Sequence, residues 1–216
     1  MLAGEGDAFS SGHDLGTPEQ KVWREAWDAR RRTEVESSFV YSWDHFLDMS
    51  LRWRDLPKPT IAMVHGWCIF GGWLIASSMD LIVAADDARF LPAHVQYFSV
   101  PWDLGARRTK ELLWTADVVD APLAHQLGLV SRVVPRAELL DEAFALARRI
   151  AGQDPFTAAM IKRSVNEMLD HQGFRTHITA AHSTFMQMEL GGQVTPPGQE
   201  GKLRRLPGVE RAMRSE

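Results

Sequence analysis

The 216-residue chain has a single cysteine, Cys68, only two tyrosines, and no excess of basic residues: 24 Lys and Arg stand against 28 Asp and Glu, a formal net charge of −4. One cysteine excludes a disulfide framework and fits a reducing compartment. The charge balance leaves no electrostatic footprint for nucleic acid, because phosphate binders gather Lys and Arg on one face. The one basic run, Arg30-Arg31-Arg32, is followed by Glu34 and Glu36 and reads as a solvated helix face. No stretch of about 18 or more apolar residues is present and the N-terminus has no signal-peptide pattern, so a cytoplasmic protein is expected. His45, His65, His125, His171, His177 and His182 show no metal-ligand spacing, and His177 and His182, five apart, do not share a helix face. No metal and no cofactor are expected.

What is present is the profile of a soluble globular domain, 45% apolar and 24% charged with both signs interleaved. From 17 to 54, aromatic and apolar residues recur at three- and four-residue intervals: Trp23, Trp27, Trp43, Phe46, Leu47, Leu51 and Trp53. The spacing predicts helices over about 18–34 and 39–54, the second stopped by Leu56-Pro57-Lys58-Pro59. Strands are predicted at 60–65, 80–85, 89–91 and 128–135. Helices are predicted at 73–79, 105–115, 121–127, 137–152 and 155–171. Strands alternating with helices argue for α/β layering. Residues 191–216 are rich in Gly and Pro and then basic and polar, which reads as a flexible tail or docking arm.

Gly71 and Gly72 sit where a strand gives way to a helix. The first N–H groups of a helix have no internal acceptor, and glycine lets a ligand oxygen reach them. Close helix–strand packing explains a glycine pair equally well. A phosphate loop is excluded, since no Gly-Lys-Ser/Thr follows.

Further blocks decide between these readings. Phe9-Ser10-Ser11-Gly12-His13-Asp14-Leu15, then Lys58-Pro59-Thr60-Ile61-Ala62, then the glycine junction, then Ala116 to Val130 with Val133-Val134-Pro135, then Asp154-Pro155 to Lys162 follow one another in an order that resembles the crotonase (enoyl-CoA hydratase/isomerase) superfamily. The resemblance spans roughly residues 1–170. It implies an α/β fold of repeated ββα units wound in a spiral, here lacking its first turn because the family's domain begins well before the Phe9 block. It implies a core over 1–135 with a helical insertion at about 17–54, a helical trimerisation region at 136–190, and a homotrimer or hexamer. It implies an acyl-CoA thioester as substrate, its oxygen held by the backbone N–H groups of His13 and Gly71 while enolate-like charge develops, with Gly12, Gly72 and Trp102 beside the substrate. Asp80 would be structural, and Lys162 either an exposed helix lysine or a contact for a CoA phosphate.

Departures from the pattern carry as much. The two family glutamates that manage water and proton fall at Leu74 and His94 in this chain. Leu74 cannot move a proton. His94 can, as an imidazole near its neutral-pH range, and Asp103 nine residues on could orient it. A plain loop histidine and a helix N-cap are the structural alternatives for those two residues. A His–Asp pair also resembles that of the C–C hydrolases of the superfamily, which cleave a β-diketone and bind no CoA. A third possibility is a non-catalytic remnant or assembly partner.

Overall fold

The computed structural model of the chain describes residues 1–14, 16–30, 33–92 and 99–193. Two small sheets are joined at corners. The first is wholly parallel, in the order β1 (Leu2–Ala3), β2 (Ile61–Val64), β4 (Leu81–Ala85), β7 (Arg132–Val134). The second runs β3 (Trp67–Ile69), β5 (Arg89–Leu91), β6 (Val119–Asp120), with only β6 antiparallel. Ser10 extends it through a parallel bridge to Cys68.

The chain turns from the first sheet to the second between β2 and β3 and again between β4 and β5, and a helix follows each time. These helices are α4 (Gly71–Ser77) after β3 and α5 (Val100–Leu104) after the second pair. The repeat is a ββα unit. Gly66 makes the first corner at φ +54°, where a Cβ would fall 2.2 Å from the Asp7 carbonyl oxygen. No other residue fits that corner without moving backbone.

Every side chain of β2 is buried, as expected of a parallel strand covered on both faces. Alternation then divides them. Ala62 and Val64, with Ile82 and Ala84 of β4, join the core that includes Phe9, Cys68, Trp73 and Phe90. Ile61 and Met63, with Val83 and Ala85, meet Leu139 and Ala143 of α8 (Leu139–Ala151) on the opposite face.

The 17–54 segment is helical but divided differently from the expectation. α1 (Pro18–Asp28) stops at Ala29, α2 (Glu34–Ser42) begins at the Thr33 cap, and a π-helical stretch, Trp43–Asp48, leads into α3 (Met49–Arg54). Two threonines set both starts: Thr17 accepts from the Gln20 N–H and Thr33 from the Glu36 N–H. The predicted first helix, 18–34, is divided after Asp28 because composition could not reveal the second cap at Thr33. Predicted strand 128–135 shortens to β7. β3 and β6 are short strands and α5 a short helix where the sequence predicts no element.

Beyond α6 (Ala106–Thr115) and α7 (Ala121–Gln126), the C-terminal region is α8, α9 (Pro155–His171) and α10 (Phe174–Gln193). Of the proposed tail, residues 194–216 lie outside the described residues; 191–193 still belong to α10. No helix among the described residues is long and apolar enough to cross a membrane.

Candidate active site

At the β3–α4 junction Phe70 has φ 43° and ψ −97°, a conformation rare for a side-chain-bearing residue and typical of places where the surroundings overdetermine the backbone. Its N–H donates to the Leu91 carbonyl at 3.1 Å and its carbonyl accepts from the Leu74 N–H at 3.0 Å. The helix therefore starts at once, and the N–H groups of Gly71 and Gly72 lie in a first turn that offers them no internal acceptor.

The two glycines make room for different neighbours. A Cβ on Gly72 would stand 2.6 Å from Cβ and 3.0 Å from Oγ of Ser10, so this glycine lets α4 lie on the Ser10 segment. A Cβ on Gly71 would meet the His13 ring, 2.9 Å from Nδ1 and 3.0 Å from Cε1, and Gly12 at 3.4 Å. Close packing accounts for Gly72, whereas Gly71 faces the Gly12–His13 segment.

Gly12, at φ +103°, lies against the Ile69 carbonyl, where a Cβ would be 3.3 Å away, and its N–H donates to Ser10 Oγ at 3.2 Å. Asp14 then turns the chain into α1: its carboxylate accepts from the Gly16 and Thr17 N–H groups and from the Thr17 hydroxyl. The Thr17 hydroxyl is the main reason its carboxyl is held below the usual range.

Leu74, 2% exposed, is a core residue of an apolar cluster with Leu47, Phe174 and Ile178, against which Trp43, Phe46 and Trp102 also pack. The position where the resemblance expects a first acid is thus filled by a side chain that joins α4 to the insertion and to α10. Trp102 donates its indole N–H to Nδ1 of His177 at 2.9 Å, and burial lowers the His177 pKa.

Asp103, next to Trp102, is inside α5; Gly105 stands at the start of α6, so the N-cap reading does not hold. Asp103 is exposed at the surface, yet the protein crowded around its carboxyl pushes it up to about 7, a direction that surface exposure opposes, with the nearby Ser99 hydroxyl also acting downward. A carboxyl with that pKa exchanges protons near neutrality. His94 lies outside the described residues.

Lys162 is not an exposed helix lysine. It pairs with Asp80 at 2.8 Å and donates to the Lys58 carbonyl at 3.2 Å, its side chain 7% exposed. Asp80 also accepts from the N–H and the hydroxyl of Thr60, at 2.7 and 2.9 Å, tying α9 to the start of β2. Asp80 thus has a structural part, at the start of β2. Among the described residues no group of three or more His, Cys, Asp and Glu is placed to hold a metal.

The family model for enoyl-CoA hydratase/isomerase matches residues 1–191. The chain belongs to that family. It is 39% identical over 191 residues to EchA13 of Mycobacterium tuberculosis, an enoyl-CoA hydratase by name, covering 81% of this chain and 60% of that protein. A solved structure from Mycobacterium thermoresistibile, likewise named for enoyl-CoA hydratase, superposes with a TM-score of 0.77 at 37% identity, over 88% of this chain and 77% of that one. An enoyl-CoA hydratase/isomerase structure from Xanthobacter autotrophicus gives 0.77 at 30% identity, over 98% and 77%. The chain spans about 60 to 66% of the length of the first curated relatives it matches.

Phe46 is the site residue that sequence reasoning passed over. It entered only as one member of the aromatic periodicity, yet its ring centroid stands 4.5 Å from that of His13. The insertion thus touches the segment from which it departs.

Proposed function

We propose that this enoyl-CoA hydratase/isomerase family chain acts on an acyl-CoA thioester by stabilising enolate-like charge, with the N–H groups of His13 and Gly71 as donors. One observation carries the reading: Gly12–His13 and Gly71, 58 positions apart from residue 13 to residue 71, meet at the first turn of α4. Two preorganised N–H donors aimed at one oxygen acidify the C–H beside the thioester carbonyl, and removal of one such donor costs about 3 to 4 kcal/mol of barrier.

The proton-transfer group supported by the described residues is Asp103. Its neighbour Trp102 shares the apolar cluster that holds Leu74 of α4 and Phe46, and the surrounding protein pushes its carboxyl up to about 7. Leu74 removes the first carboxylate of a two-acid hydration, which favours proton shuttling by one carboxyl over addition of water. His94 remains part of the proposal as the second acid/base.

The assay is turnover of crotonyl-CoA and of 3-enoyl-CoA isomers. Isomerisation or hydration that falls at least tenfold in Asp103→Asn supports the reading. Cleavage of a cyclic β-diketone with no enoyl-CoA turnover would replace it by the hydrolase reading, and no turnover of either substrate would leave an assembly role. Sign decides the pH dependence: the folded pKa of Asp103 is raised, so the ionised form is penalised in the fold and stability falls as pH rises from about 3.8 through 7. Asp103→Asn is expected to raise the urea midpoint at pH 8 and leave it unchanged near pH 3.5.

A homotrimer or hexamer belongs to the same proposal. α9 presents Ile161, Val165 and Met168, each at least half exposed and close together on one helix face, and an exposed apolar helix face of this kind is buried in assemblies. Light scattering on the purified chain tests it.

A further inference from the structure

We infer that Phe46 is a positioning residue for the site: it clamps the His13 ring against Gly71 and so fixes the spacing of the two N–H donors from the side of the helical insertion. This rests on the oxyanion reading proposed above, and adds to it a part for two side chains.

Three groups meet in sequence here. On one side the Nδ1–Cε1 edge of His13 lies at the place a Gly71 side chain would take, 2.9 and 3.0 Å from an added Cβ. On the other side the Phe46 ring stands 4.5 Å from the His13 ring, inclined by 51°. The imidazole is therefore a strut between the insertion and the first turn of α4. Residue 13 and residue 71 are also the two proposed donors, so whatever holds the strut holds their separation.

Phe46 is itself braced. It belongs to the π-helical stretch Trp43–Asp48, and such stretches inside helices recur at functional sites because the extra residue per turn re-aims a side chain. Tyr41 meets it edge-on at 5.5 Å, and Leu47, the next residue, is fully buried against Leu74 and Ile178. Tyr41 in turn stacks on His45, which touches Trp23 and Trp27 of α1. The run of rings from Trp23 and Trp27 through His45 and Tyr41 to Phe46 ends on His13, which gives it a task beyond filling space.

Acetoacetyl-CoA is the probe, because donation to its thioester oxygen shifts the bound molecule from keto form to enolate, the C2 proton passing to buffer, and the enolate is read by its near-ultraviolet band. Wild type is expected to show the band. Phe46→Ala and His13→Ala are expected to lower the enolate-to-keto ratio about tenfold while the dissociation constant changes less than about twofold, since small displacements of preorganised groups cost polarisation before they cost binding. Phe46→Leu and His13→Phe keep a bulky strut and should retain most of the band, which also covers the case in which an alanine variant folds poorly.

Three results would overturn the inference in distinguishable ways. A band equal to wild type in both alanine variants removes the strut and leaves the oxyanion reading intact. Loss in His13→Phe as large as in His13→Ala assigns the effect to the ring nitrogens instead. Binding of acetoacetyl-CoA to wild type with no band removes the oxyanion reading and the strut with it.

Discussion

α4 separates two regions that are built differently. On its sheet side Trp73 and Ala76 enter a core closed by strands, where Asp80 is met by Thr60 and Lys162 and the indole N–H of Trp73 is buried without a partner among the described residues. On its insertion side Leu74 enters a cluster bordered by Trp43, Phe46 and α10, and the polar atoms there are not all answered. Ser42 Oγ, Ser50 Oγ and both ring nitrogens of His182 are buried without a hydrogen-bond partner. The sheet side is specified by a backbone ladder that satisfies itself, whereas the insertion side is held by ring-to-ring packing. The candidate donors of His13 and Gly71 sit on the line between them.

The comparison breaks most sharply at Leu74. Leu74→Glu restores the family's acid type but places a carboxylate in an apolar cluster, and an uncompensated buried charge costs about 3 to 5 kcal/mol. Urea unfolding at pH 8 should show that loss, and it should shrink at pH 5 as the carboxyl takes up a proton. Turnover should not rise.

On the sheet side Lys162→Met leaves Asp80 with neutral donors only. Loss of a charged hydrogen bond of this kind costs about 2 kcal/mol, and the change should appear as a lowered thermal midpoint with no change in the keto–enol ratio of bound acetoacetyl-CoA.

The glycine pair sharpens the same contrast. Gly72→Ala drives a methyl into Ser10 Cβ, which is attached to backbone, so a cost of about 1 to 2 kcal/mol of stability is expected from overpacking. Gly71→Ala presses on the His13 side chain and comes to 3.4 Å from Gly12; a side chain yields more readily than backbone, so stability should fall by less while the displaced strut costs polarisation of a bound thioester. Equal effects on both readouts would erase the distinction between the two glycines.

The smallest effect is expected at His182. It is fully buried with Phe39 and Trp43 edge-on at 4.9 and 5.3 Å, and burial lowers its pKa below 6.5. A lowered folded pKa means stability that is present above 6.5 and lost as pH falls below it. His182→Leu should flatten that acid loss and leave the midpoint at pH 8 close to wild type.

Much of the sheet side was legible in the sequence, because continuous apolar runs bounded by Pro59 and by Asp86-Asp87 mark β2 and β4, and Pro155 after the Asp154 cap marks α9. Short elements were not: β6 has two residues and β3 three, too few for a period to show. α5, five residues with proline in its first turn, reads as loop for the same reason. At the site, the pairing of Gly12–His13 with Gly71 followed from family order alone. The division of labour between Gly71 and Gly72 did not, since it depends on which distant side chain fills each vacancy. Lys162 reads as exposed because helical spacing says nothing of a carboxylate 82 residues away, and Phe46 is hidden among equivalent aromatics until the π-helical turn points it at His13.

A crystal structure of the chain with acetyl-CoA tests the central claim most directly. The account expects the thioester oxygen at about 2.7 to 3.1 Å from the backbone nitrogens of both His13 and Gly71. A bound thioester whose oxygen lies beyond hydrogen-bond distance of either nitrogen would contradict it.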